Sequence, residues 1–334
     1  VSRRTRRGGS ARAGSVPGSA WLRFPVMVVC VAYACGQVFR DRWLWSEWLF
    51  WAPSWGVALG AAIAALVLWR RRVDGRRVAW STLMASSVAL WSGGRFLMHD
   101  VGWAFSMPAA TPGDMVVTHW NARWPGQEAL DRAQAISQDL GDLAIISNPG
   151  SMFLSSLRAD WMPDEMRSFN LGPVGIVTRL RVMDFRMVAH TSMGRNLDLW
   201  FAWLVVRAPS GVPVRILISD LPSSLTLARG DIAAKASAML READIDGPPD
   251  MVVGDFNCTP SSVVFDAVAP GLGAAPPWRS AGWLCTYWRP WPILRIDAML
   301  AGPGLDWRGY RTFDTGIGEH RAQQGILRAA SAER

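Results

Sequence analysis

Asp255 and Asn257 stand two residues apart in Gly254-Asp255-Phe256-Asn257, directly after the apolar run Met251-Val252-Val253. In an extended segment, residues two apart face the same side. An aspartate so placed can take a proton from an attacking water or orient it, while an asparagine amide donates to a phosphoryl oxygen without repelling it. On chemistry alone the segment is equally a turn in which Asp and Asn play their usual turn roles. Three more polar positions fall where apolar runs end: Asn121 after His119-Trp120, Asp297 in Arg295-Ile296-Asp297, and Glu319-His320 after Gly318.

The elements that must position these residues alternate. Short apolar or β-branched runs predict strands at 115–120, 143–147, 175–179, 185–190, 199–207, 214–219, 251–254 and 294–300. Amphipathic spacing predicts helices over 127–140, with Leu130, Ala133 and Ile136 on one face, and over 229–243, with Ile232, Ala236 and Met239. Strands interleaved with helices imply layered α/β packing, and active sites of such folds collect where strands end.

Taken in order, an Asn after the first strand, a Gly-Asp-Phe-Asn segment, an Ile-Asp strand and a final acidic-His pair resemble the endonuclease/exonuclease/phosphatase superfamily. Val174-Gly175-Ile176-Val177-Thr178-Arg179 supports the alignment, which covers roughly 115–327. The resemblance implies a four-layer sandwich, two packed β-sheets with helices outside. It further implies that Asn121 and Asn257 contact the phosphate, Asp255 orients or deprotonates the water, Asp297 holds His320 against the scissile phosphate, and Glu319 stands at the terminal metal-linked acid. The implied cofactor is Mg2+ or Mn2+, a hard cation that takes oxygen ligands.

The sequence departs from the family at two positions. Where the second strand of the family ends in a metal-binding Glu, Gly141-Asp142-Leu143-Ala144-Ile145-Ile146-Ser147-Asn148 offers Asn148, a weaker neutral ligand. Glu319 replaces the usual Asp with a longer reach and is a candidate to take over part of the ligation. In Ile218-Ser219-Asp220, Asp220 stands where the family usually has His. A carboxylate there repels a phosphate dianion unless protonated or bound to a cation, so Asp220 is either a relocated metal ligand or the cap of a strand-to-loop turn. His119 shares a face with Asn121, and a packed strand histidine is an equal reading.

Charge divides the chain. Residues 1–114 carry 14 Arg against five acids, whereas 115–334 carry 21 basic and 22 acidic residues. The basic excess therefore lies beside apolar stretches, and the near-neutral remainder lacks the surplus expected for non-specific DNA binding. Apolar runs at 24–39, 48–69 and 78–98 predict three membrane spans, two of them near the roughly 20 residues that cross a bilayer. Arg3, Arg4, Arg6, Arg7, Arg12 and Arg23, with Arg70, Arg71, Arg72, Arg76 and Arg77, place the N-terminus and the second loop in the cytoplasm and the larger domain outside. The expected organisation is a basic N-terminus (1–23), a membrane region (24–98), a linker (99–114), the sandwich domain (115–327) and a short tail (328–334). Four cysteines show no metal-finger spacing, and a disulfide framework is not expected.

These features point to a multi-pass, membrane-anchored, divalent-metal-dependent phosphoester hydrolase. Its substrate would be a lipid headgroup or a nucleic acid, and membrane lipid would be its surroundings. Trp278, Trp283, Trp288 and Trp291 are candidates for a lid that stacks substrate or touches lipid. The alternative is a degenerate binding or scaffold protein of the same fold, which Asn148 and Asp220 favour and Asp255, Asn257, Asp297 and His320 oppose.

Overall fold

The computed structural model describes residues 20–70, 77–194 and 197–330. Residues 1–19, 71–76 and 331–334, which include most of the arginines used to set topology, lie outside the described residues. Helices α1 (Ala20–Phe39), α2 (Leu44–Phe50), α3 (Ser54–Arg70) and α4 (Arg77–His99) come first. Strands β1 (Val101–Trp103), β2 (Asp114–Asn121) and β3 (Leu143–Ser147) flank α5 (Ala129–Ser137). After α6 (Ser155–Trp161) run β4 (Arg167–Leu171), β5 (Val174–Thr178), β6 (Arg181–Ser192), β7 (Asp198–Arg207) and β8 (Pro213–Asp220). Helix α7 (Arg229–Glu242), β9 (Met251–Asp255), α8 (Val263–Val268), β10 (Ser280–Trp283), β11 (Asp297–Ala301), β12 (Leu305–Phe313) and β13 (Ala322–Ala329) complete the chain.

Two mixed sheets form, in the orders β1-β10-β12-β13-β2-β3-β5-β4 and β11-β9-β8-β7-β6. The alternation of β7 shows why they stack. Trp200, Ala202, Leu204 and Val206 meet Val117, Ile145 and Ile176 of the other sheet, while Leu199, Phe201 and Trp203 face outward onto Ile232, Ala236 and Met239 of α7. A period of two thus supplies two apolar faces from one strand. The outer face of the larger sheet does the same, burying Trp120, Ile146 and Val177 against Ala133, Ile136 and Trp161. Helix, sheet, sheet and helix make the four layers.

The expectation of three spans is corrected. Among the described residues, only α1, over Trp21–Phe39, is itself long and apolar enough to cross a membrane. The run read as one span over 48–69 bends by 72° between α2 and α3, and counts as a second only if that broken pair is one span. Pro53, at the break, lacks an amide proton and disfavours helix in the residue before it. Although α4 is 23 residues long, Ser81, Thr82, Ser86, Ser87, Ser92 and Arg95 dilute its hydropathy.

These helices pack onto the sandwich. Arg40, in the left-handed turn between α1 and α2, donates to the carbonyls of Ser261 and Ser262 and pairs with Asp266. Asp41 accepts from the backbone N–H of Val263 at 2.9 Å. Glu47 and Arg229 form a buried ion pair at 3.5 Å, with the guanidinium 4.8 Å from the Trp51 ring. Within the expected linker, Val101–Trp103 adds an antiparallel edge strand to β10.

Candidate active site

Register brings the site together. In the smaller sheet Asp255 is directly paired with Asp220 on one side and Asp297 on the other. In the larger sheet Asn121 pairs with Ser147, one residue before Asn148. Strand ends from both sheets therefore converge on one spot. Gly254 has φ +155°, and a Cβ there would lie 1.8 Å from the Ser219 carbonyl oxygen, so only glycine lets β9 run this close to β8. Asn148 and Asn257 adopt left-handed φ of 52° and 46°, a conformation asparagine tolerates better than most side chains.

Asp255 is 2% exposed. Its Oδ2 accepts from Asn121 Nδ2 at 2.8 Å, and its Oδ1 accepts from the Asn257 backbone N–H at 2.9 Å. Burial, reinforced by the charge of Asp297, pushes its carboxyl up to about 7 against the opposing pull of His320 and these donors. His320 Nδ1 lies 2.9 Å from Asp297 Oδ2, and His320 Nε2 lies 3.8 Å from Asp255 Oδ2. Burial works against a charged imidazole, but Asp297 and Asp255 outweigh it and raise His320 to about 9. For Asp297 burial is likewise outweighed, chiefly by His320, and its carboxyl stays below the usual carboxylate range. The Trp120 indole donates to the His320 carbonyl at 3.1 Å, and the Tyr287 ring centres 5.2 Å from the imidazole.

Asn148 Nδ2 donates to Asp220 Oδ2 and, at 3.3 Å, to Asn121 Oδ1. Burial and the neighbouring Asp255 push the Asp220 carboxyl well above its ordinary value. Three buried carboxyl groups crowd one imidazole, their burial and mutual repulsion holding two of them above the ordinary carboxylate range, and Asp297 Oδ1 is buried without a hydrogen-bond partner. Asp255, Asp297 and His320 also bring one ligand atom each within 4.8 Å of one another. Two carboxylates beside an imidazole, with Asp220 and the Asn148 amide at the same spot, make an oxygen-rich set that fits a hard divalent cation. Asp220 and the Asn148 amide oxygen are the groups suited to hold it, because both hydrogen bonds of Asn148 use Nδ2.

Of the residues expected from sequence, Asn121, Asn148, Asp220, Asp255, Asp297 and His320 meet here. Two others are placed differently. Glu319 is tied to Arg123 in an ion pair rather than joining the acid cluster. The Asn257 side chain donates to the Leu221 carbonyl at 2.7 Å, which binds it to the β8 turn. His119 is a packed strand histidine, with Nε2 3.0 Å from Ser147 Oγ and Nδ1 2.8 Å from Gln323 Nε2. Sequence reasoning missed Arg123 and Tyr287. Arg123 was findable, since its backbone N–H follows Asn121 by two residues and donates to its Oδ1; nothing in Cys285-Thr286-Tyr287 marks the tyrosine.

The model of the Endonuclease/Exonuclease/phosphatase family matches residues 20–313. Among solved structures, an endonuclease/exonuclease/phosphatase family protein from Bacteroides thetaiotaomicron is 14% identical, with a TM-score of 0.52, over 65% of this chain and 98% of its own. A mannosyl-6-phosphatase from the same organism is 14% identical, with a TM-score of 0.50, over 64% of this chain and 99% of its own. At these identities the likeness speaks for the fold. No curated protein matches the chain.

Proposed function

The chain belongs to the endonuclease/exonuclease/phosphatase family, and from that premise we propose that it is a divalent-metal-dependent phosphoester hydrolase held at a membrane by helix α1. One observation carries the reading: Asp255, Asn121, Asp297 and His320 come from four separate segments and converge, buried, with Asn121 bonded to Asp255, His320 bonded to Asp297, and the imidazole 3.8 Å from Asp255. A scaffold has no physical need for such a set in one place.

In the proposed reaction a water oxygen attacks phosphorus, its proton passes to Asp255, and the bond from phosphorus to the leaving oxygen breaks. A carboxyl near 7 suits that transfer at neutral pH. Asn121 holds Asp255 in place through Nδ2. His320, charged and fixed by Asp297 at Nδ1, presents Nε2–H to a phosphoryl oxygen and stabilises the charge that develops there. Mg2+ or Mn2+ supplies further charge neutralisation at the phosphoryl group when bound. Asp220 and Asn148, which meet across the gap between the two sheets, would hold it.

For substrate, a lipid headgroup is favoured over nucleic acid. The near-neutral charge of residues 115–334 supports this. So do α1, long and apolar enough to cross a bilayer, and the exposed Trp278, Trp288 and Trp291, the last two in the segment that also carries Tyr287 beside His320. The test is hydrolysis of bis-p-nitrophenyl phosphate and of phospholipid by the full chain in detergent, with Mg2+, Mn2+ or chelator, alongside His320→Ala. Metal-dependent turnover that disappears in the variant is expected. A folded protein inert on both the phosphodiester and the lipid would favour a binding protein with the same fold.

A further inference from the structure

The loop after β2 holds a cation at the mouth of the site that the proposed mechanism leaves unused. Arg123 and Trp124 are consecutive non-glycine residues with left-handed φ of 55° and 52°. Large side chains seldom adopt that conformation, and it persists only where the surroundings fix it. Here the fixing groups belong to the site. The Arg123 backbone N–H donates to Asn121 Oδ1 at 2.9 Å, and the Trp124 backbone N–H donates to the Asn148 carbonyl at 2.6 Å. Side-chain packing does not account for the strain, because the Arg123 side chain is 56% exposed and Trp124 is 58% exposed.

The far end of Arg123 is placed as firmly. Its guanidinium pairs with Glu319, the residue before His320, while the Trp120 indole donates to the His320 carbonyl. These contacts join 120–123 to 319–320 on either side of Asn121, whose amide reaches Asp255. The guanidinium therefore stands at the rim of the site, beside the segment that carries His320.

Charge indicates what it can hold. A phosphate entering the site meets the carboxyls of Asp220, Asp255 and Asp297 and the single cation of His320. Other arginines close by in sequence are committed elsewhere: Arg295 donates to the His99 carbonyl, Arg321 to the Thr312 carbonyl, and Arg289 pairs with Asp314. The Arg123–Glu319 pair is exposed, with Glu319 37% accessible, and an exposed ion pair contributes little, so its exchange is easy. A planar guanidinium matches phosphate oxygens as well as those of a carboxylate.

We propose that Arg123 is a substrate-binding residue that leaves Glu319 to take a phosphoryl oxygen of the substrate, Glu319 competing for the guanidinium when none is bound. The inference rests on the phosphoester chemistry proposed above and adds to it a second cation beside His320.

The test is calorimetric titration of the full chain in detergent with inorganic phosphate at fixed Mg2+. Arg123→Ala should weaken binding about tenfold or more, and Arg123→Lys should recover part of that loss, since it restores the charge without the paired N–H groups. Glu319→Gln should tighten binding several-fold by freeing the guanidinium, and the gain should vanish when Arg123→Ala is added. Failure of the unaltered protein to bind phosphate, or unchanged affinity in Arg123→Ala, would overturn the proposal. So would a gain from Glu319→Gln that survives in the double variant, because Glu319 would then act through its own charge and not through Arg123. The hydrolase reading fails separately. Turnover of bis-p-nitrophenyl phosphate with phosphate affinity unchanged in Arg123→Ala would sink only the role of Arg123, whereas phosphate held by Arg123 in a chain that hydrolyses nothing would sink the hydrolase and keep the binding residue.

Discussion

Asn148 Nδ2 donates to Asp220 Oδ2 across the gap between the two sheets. An amide thus stands where the family resemblance leads one to expect a carboxylate, and a carboxylate stands beside it where an imidazole is expected. On the proposed reading, Asp220 supplies the carboxylate that is missing at Asn148. Asp220→Asn should therefore weaken Mn2+ binding about tenfold or more, read from the free-ion spectrum in a titration. The double variant Asn148→Glu with Asp220→His should recover it. Glu319→Gln should leave affinity unchanged, since that carboxylate is already committed to Arg123. Equal affinity in Asp220→Asn and the unaltered protein would remove Asp220 from the ligand set.

What the sequence revealed and what it hid follow from range. Asp255 and Asn121 were legible because each ends an apolar run and Asp297 because it opens one, and strand ends are where a layered fold exposes polar groups. The partners of Glu319 and Asn257 were not, because Arg123 and the Leu221 carbonyl approach them only once the sheets are packed. Strands β12 and β13 escaped notice for a related reason. Asp306, Arg308 and Arg311 interrupt the first, and Gln323 and Gln324 read as polar loop until Tyr310 and Thr118 are seen to bond them. At the N-terminus, counting apolar residues overrode Pro53, whose ring and missing donor were the visible sign of the bend.

The short contact between His320 Nδ1 and Asp297 Oδ2 predicts a specific defect when it is lost. Asp297→Asn retains the shape of the side chain but removes its charge, so the imidazole loses the largest of the influences holding it protonated. Turnover should fall about a hundredfold or more. The His320 titration, followed by NMR, should move down from about 9. A fall in turnover with no movement of that titration would mean that Asp297 contributes shape and not charge.

Glu47 and Arg229 join α2 to α7 with side chains 3% and 1% exposed. Removing one partner strands the other charge in a place water cannot reach. Glu47→Ala should destabilise the full chain by about 3 kcal/mol, whereas replacing both residues by apolar ones of similar size should cost much less. Thermal unfolding followed by tryptophan fluorescence should show one transition, shifted downward. A sandwich that melts at its original temperature in Glu47→Ala would show that the helices are not part of its cooperative unit.

His119 provides a pH test of the core beneath the site. Gln323 Nε2 donates to its Nδ1, which leaves Nε2–H to donate to Ser147 Oγ, so the packed ring is neutral. Burial lowers its pKa to about 4, Asp297 opposing only in part. In the unfolded chain the same ring titrates near about 6.5. Above that pH both states are neutral and the residue adds no pH dependence. Between about 6.5 and about 4 the unfolded state binds a proton that the folded state refuses, so stability falls as pH falls, by up to about 1.4 kcal/mol per pH unit. Below the folded value the loss is complete and the slope vanishes. In His119→Gln that contribution is absent, so the stability difference between the two proteins should narrow steadily from pH 6.5 to 4 in urea titrations. Curves that stay parallel through that window would mean that His119 is already protonated in the fold, and its assignment as a neutral strut between Ser147 and Gln323 would fail.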